Sequence, residues 1–160
     1  MLFGWVASRP PTGESESLCG SALFRSVKRI ADTGVIVALL AADDPCHAWA
    51  AEAFREHSPF FTCDAVVAEA CSFFPDPRPV LTLISRGDLL LDFNLAEQMP
   101  RVLALVTKYA DLPMDLADAC VVRMTELNER CKVWTIDRGD FLAYRRHGRQ
   151  SVPAEFPPND

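Results

Sequence analysis

Two short runs, Val27 to Ala31 and Val133 to Ile136, each stop on an aspartate, and stretches of helical period lie between them. Runs of this length bounded by turn residues are strands, and strands alternating with helices build a mostly parallel sheet covered on both faces. In such sheets ligands collect outside the carboxyl ends of the strands, which is where Asp32 and Asp137 fall. The expected fold is therefore a three-layer α/β/α sandwich with a mostly parallel central sheet.

The intervening chain supports this order. Asp32-Thr33-Gly34 turns into a helix expected over Val35 to Ala42, and residues 47 to 57 form a second helix with Trp49, Ala53 and Phe54 at helical spacing. Pro59 precedes a strand from Phe60 to Thr62, and a third helix starts near Asp64, carrying Glu69 early among Val67, Ala68, Ala70 and Cys71. Residues 79 to 85 form a short helix closed by Gly87, and Asp88 to Phe93 reads as a strand with the continuous apolar run of a doubly covered sheet. Asn94 to Glu97 fits a capping box for a helix whose stripe of Met99, Val102, Leu103 and Val106 should pack inward, with Pro100 in its first turn or at a kink. Asp115 to Leu127 is the next helix, and an edge strand is expected near Ser151 and Val152.

A chain of 160 residues holds one domain, expected over 29–152, with a disordered or loosely docked leader over 1–28 and a flexible Pro-rich tail over 153–160. The longest apolar stretch, Thr33 to Ala42, is about half of the ~20 residues a membrane span needs, so no membrane association is expected. Six cysteines without a C-x-x-C pair suit reduced thiols in the cytoplasm, and His47, His57 and His147 each stand alone, which argues against zinc. A net charge of −6 argues against a protein that simply coats nucleic acid, but converging acids that hold a metal can present a very different local field.

Four carboxylates, Asp32, Glu69, Asp118 and Asp137, are placed to share one edge of the sheet. Like charges gathered without a partner repel and raise one another's pKa, so a cation is expected among them. Mg²⁺ or Mn²⁺ suits an oxygen-rich site of this kind, and phosphodiester hydrolysis is the reaction it equips.

The same residues resemble the PIN domains of the VapC type, the toxin half of a bacterial toxin and antitoxin pair. The resemblance rests on Ala31-Asp32-Thr33-Gly34, Val67-Ala68-Glu69-Ala70, Met114-Asp115-Leu116-Ala117-Asp118-Ala119 and Thr135-Ile136-Asp137-Arg138-Gly139-Asp140-Phe141, in that order and spacing, from about Arg29 to Arg149. It implies a metal-dependent endoribonuclease that cuts single-stranded or looped RNA. Asp32, Glu69, Asp118 and Asp137 are then the metal-binding or catalytic positions, Thr33 and Thr135 shape the site, and Asp115 or Asp140 are accessory. It also implies homodimers and silencing by a cognate antitoxin.

Each acid also has a plainer explanation. Asp115 is well placed to cap a helix, as is Asp118 in its first turn; Asp32 before Thr-Gly is ordinary turn chemistry; Asp140 competes with Asp137, and Asp137 is preferred because it ends the strand directly. Arg138, Arg145, Arg146 and Arg149 form a basic stretch that either guides RNA phosphates or is a solvated loop. The alternative to a nuclease is a catalytically inactive PIN-fold module that binds RNA or protein. A phosphatase of the haloacid-dehalogenase kind is a lesser one, since it wants a second Asp where Gly34 stands.

Overall fold

The computed structural model describes residues 27–112 and 114–158. The expected leader therefore lies outside the described residues as far as residue 26, while Lys28 already belongs to the first strand, β1 (Lys28–Ala31). Helices α1 (Thr33–Leu40) and α2 (His47–His57) lead to β2 (Phe60–Thr62). Then come α3 (Asp64–Ser72), α4 (Arg78–Arg86) and β3 (Leu89–Leu91). The longest helices, α5 (Leu95–Lys108) and α6 (Leu116–Leu127), precede β4 (Cys131–Trp134). A short α7 (Arg138–Ala143), a hairpin of β5 (Arg145–Arg146) and β6 (Gln150–Ser151), and β7 (Ala154–Glu155) follow.

The sheet runs β3-β2-β1-β4-β7 and every pairing in it is parallel. Parallel neighbours force each connection to cross over through helices, and those helices cover the two faces. Phe60 and Trp134 lie on one face under α2, where Phe54 stacks on Phe60 at 4.5 Å and His57 tilts over Trp134. Cys131 lies on the other, its thiol against the Thr125 carbonyl of α6. Between these layers Ile30, Phe60, Leu89, Val121, Val122 and Val133 are wholly buried, each large side chain contributing about 2 kcal/mol. The three-layer sandwich read from the alternation of elements is the observed fold.

The differences from expectation have local causes. Helix α1 begins at Thr33 rather than Val35, because the turn residues are themselves its first turn. Strand β3 is an edge and not doubly covered: Leu89 is buried, but Leu91 is half exposed. On α5 the buried residues are Val102 and Leu105, while Met99 and Leu103 face outward, so the inward stripe lies a step round from the one expected. Pro100 sits inside α5. Asn94 does cap it, accepting from Ala96 N and Glu97 N, although Glu97 returns to the Asn94 side chain instead of its backbone. Gly87 closes α4 in the left-handed conformation, as its position predicts.

The carboxyl-terminal segment departs furthest. Residues 138–143 form a helix, and His147 and Gly148, both at positive φ, turn the β5–β6 hairpin. The edge strand near Ser151 pairs with β5 outside the main sheet, and the sheet is completed by β7 inside the supposed tail. Thr135 N donates to Glu155 O and Val133 N to Pro153 O, so the ordered fold continues past residue 152.

Candidate functional site

Asp32 follows β1 directly and opens α1 from an extended backbone, but its carboxylate does not cap that helix. It accepts instead from Thr135 Oγ1 at 2.7 Å. Thr135 is wholly buried, and the same oxygen accepts from Asp137 N at 3.0 Å, so one hydroxyl ties together the segments carrying both aspartates. Gly34 makes this approach possible: a Cβ there would stand 2.5 Å from Ile136 Cγ1. On the neighbouring helix Thr33 Oγ1 donates to Glu69 Oε2 at 2.5 Å, joining α1 to α3. Glu69 lies in the second turn of α3, half-buried, rather than at its start.

Helix α6 brings the third acid. Asp115 caps it by accepting from Asp118 N at 2.8 Å, so the plainer explanation of Asp115 is observed. Asp118, in the first turn, accepts from Tyr144 Oη at 2.8 Å. Asp137 lies past the end of β4, separated from it by Thr135 and Ile136, and is the N-cap of α7, accepting from Asp140 N at 2.9 Å. Asp137 is thus the cap of α7, and Asp140 sits in its first turn.

Burial and mutual repulsion show in the acidities. Burial pushes Asp32 up to about 6 against the lowering hydrogen bonds from Thr135 and Thr33, and Glu69 and Asp115 push it the same way. Asp118 rises to about 7, first through burial, with Asp115, Asp32 and Asp140 adding to it and Tyr144 opposing. Asp140 is raised by burial and by Asp137. Among the described residues, none of Asp32, Glu69, Asp115, Asp118, Asp137 and Asp140 is in an ion pair. Nor do any three His, Cys, Asp or Glu side chains among them stand close enough to cage an ion by themselves.

A donor set of this kind, acid-only, uncompensated and spaced, fits a hard divalent cation that keeps several waters and takes one or two carboxylates directly. It does not fit an ion needing a closed tetrahedral cage. Asp32, Glu69 and Asp118 are the residues that could hold such an ion, and Asp137, exposed at the start of α7, lies further out.

The arginines of the basic stretch make contacts within the fold. Arg138 donates to Pro157 O and lies over the Phe156 ring at 4.7 Å. Arg145 closes the end of α7 through Leu142 O, Ala143 O and Tyr144 O. Arg146 reaches Thr125 O in the last turn of α6 and Glu129 O just beyond it. Each of these three guanidiniums places one terminal nitrogen on backbone carbonyls, and the exposed Arg149 makes no side-chain hydrogen bond or ion pair among the described residues. Tyr144 was not foreseen: its partner is 26 positions away, and the only local signal is its i+3 spacing from the buried Phe141.

A parallel five-stranded sheet between helical layers, with acids gathered where β1 and β4 end, is the PIN-like α/β fold. Among solved structures, the chain superposes on the crystal structure of VapC20 from Mycobacterium tuberculosis, described as a sarcin-ricin loop cleaving toxin. The TM-score is 0.60 and the identity 13%, over 70% of this chain and 92% of that one. The likeness is one of fold, and it agrees with the resemblance carried by the acidic motifs. No protein-family model and no curated protein sequence matches the chain. No helix among the described residues is long and apolar enough to cross a membrane.

Proposed function

We propose that this protein is a PIN-type endoribonuclease that uses Mg²⁺ or Mn²⁺ to hydrolyse phosphodiester bonds in single-stranded or looped RNA. The observation that carries the reading is the gathering of Asp32, Glu69 and Asp118, held by Thr135, Thr33 and Tyr144, with no ion pair to any of the three among the described residues. A divalent ion, when bound, supplies the missing positive charge, polarises the phosphate and eases ionisation of water. Asp32, Glu69, Asp118 and Asp137 would hold it; Thr135 fixes the Asp32 carboxylate, and Thr33 does the same for Glu69. Asp115 and Asp140 keep the approach acidic while capping and opening their helices.

The likeness to VapC20, described as a toxin, supports a toxin role here, and the resemblance of the acidic motifs adds to the proposal a cytoplasmic homodimer silenced by a cognate antitoxin. A second reading, an inactive module of the same fold, draws on the absence of three tightly clustered ligands among the described residues.

The deciding experiment incubates the purified protein with a pool of RNAs that includes the sarcin-ricin loop, with Mg²⁺ or Mn²⁺, beside EDTA and an Asp32→Asn variant. Cuts at defined positions that vanish in both controls are the expected result. Intact RNA with either ion gives the site to the inactive module.

A further inference from the structure

Tyr144 is wholly buried, yet its hydroxyl is turned to a carboxylate of the acid cluster. Its ring meets Phe141 edge-on at 5.6 Å and Tyr109 at 5.2 Å. Its backbone N donates to Asp140 O at the end of α7, and Tyr109 Oη accepts from the next backbone N, that of Arg145, at 2.8 Å. Ring and backbone are thus held on several sides. A buried phenol needs a partner, and a backbone carbonyl would serve for stability alone. This one donates to Asp118 Oδ2 at 2.8 Å and lies within reach of Asp140 as well.

Asp118 has two oxygens and a short, rotatable side chain. Its backbone N is already held by Asp115, and the Tyr144 hydroxyl takes one oxygen. We infer that Tyr144 is a positioning residue of the acid centre: by holding Oδ2 of Asp118 from the junction of α7 and β5, it sets the direction in which the other oxygen meets a divalent cation. The inference rests on the metal-dependent reading above. It adds that the orientation of a residue on α6 is controlled from the helix that carries Asp137 and Asp140. A hydrogen-bond donor behind a ligating carboxylate commonly contributes as much as a lesser ligand, and its removal costs about ten-fold or more in metal affinity or rate.

The test is Tyr144→Phe, which keeps the ring and removes only the hydroxyl. Thermal melting in EDTA, Mn²⁺ binding followed by the electron spin resonance of the free ion, and RNA cleavage are compared with the parent protein. The expected result is a melting temperature within a few degrees, Mn²⁺ bound about ten-fold more weakly, and kcat lowered by about the same factor with KM little changed. In an Asp118→Asn background the same change should no longer alter Mn²⁺ affinity, because the carboxylate it positions is gone. Equal losses in both backgrounds, or Tyr144→Phe binding Mn²⁺ as the parent does, overturn the inference and leave the nuclease reading standing. A parent protein that neither binds Mn²⁺ nor cuts RNA overturns the reading beneath it and the inference together.

Discussion

Asp32 shows what a buried carboxylate costs a fold. Its pKa rises from 3.8 to about 6 on folding, mainly through burial, so the folded chain binds more protons than the unfolded one at intermediate pH. Stability must then fall as pH climbs from about 4 through about 6, the reverse of a salt-bridged aspartate. Without divalent metal, Asp32→Asn, which can still accept from Thr135, is expected to be more stable than the parent at about pH 8, by up to on the order of 3 kcal/mol. The gain should vanish below about pH 3, where the aspartate is neutral in both states. Urea unfolding in EDTA at the two pH values checks this, and a gain of equal size at both would show that burial of charge is not the cause. At this scale the position of Asp32 at a strand end was legible, because strand and turn chemistry act within a few residues, whereas the capping by Asp137 was not. Tyr144 and the duties of Arg138, Arg145 and Arg146 were not, because their partners are chosen by three-dimensional neighbours.

Between elements, the strongest polar tie lies away from the acid edge. Glu126 on α6, its side chain almost wholly buried, accepts from Arg101 of α5, from Arg123, and from His147 N in the β5–β6 turn. Burial opposes its ionisation, but these partners outweigh it and bring its pKa down to about 2. Its contribution is therefore present above the ordinary value of 4.5 and lost as pH falls through about 2, opposite in sign to Asp32. Glu126→Ala is expected to destabilise the protein by about 2 to 3 kcal/mol, below the full cost of breaking a buried pair because both arginines are partly exposed. Thermal melts check the loss, and retained Mn²⁺ affinity in the folded variant would separate it from the acid centre. Helices α2, α3, α4 and α6 could be read from period, proline stops and Gly87. The register of α5 could not, since Leu103 and Leu105 are equally apolar and only the packing of α5 on α6 selects the second.

For the whole molecule, the decisive element is the last one. Strand β7 pairs with β4, Arg138 reaches past it to Pro157, and Phe156 lies under the Arg138 guanidinium. Ending the chain at residue 152 should expose the edge of β4, lower the melting temperature by roughly 5 to 10 °C and promote association through the open edge. Calorimetry and light scattering on the shortened chain check both effects, and an unchanged melting temperature would make β7 an ornament. Two residues flanked by prolines carry no strand signal of their own, so β7 could not be read locally; the unpaired edge of β4 recruits it. The alternation of strands and helices and the acids at strand ends were set by the sequence alone, because side-chain period and turn chemistry act within a few residues. The tertiary structure decided which strand is an edge, which face of α5 is inside, which aspartate caps α7, and which hydroxyls hold the acids. Each of these is a choice among near-equal local options, settled by partners tens of residues away.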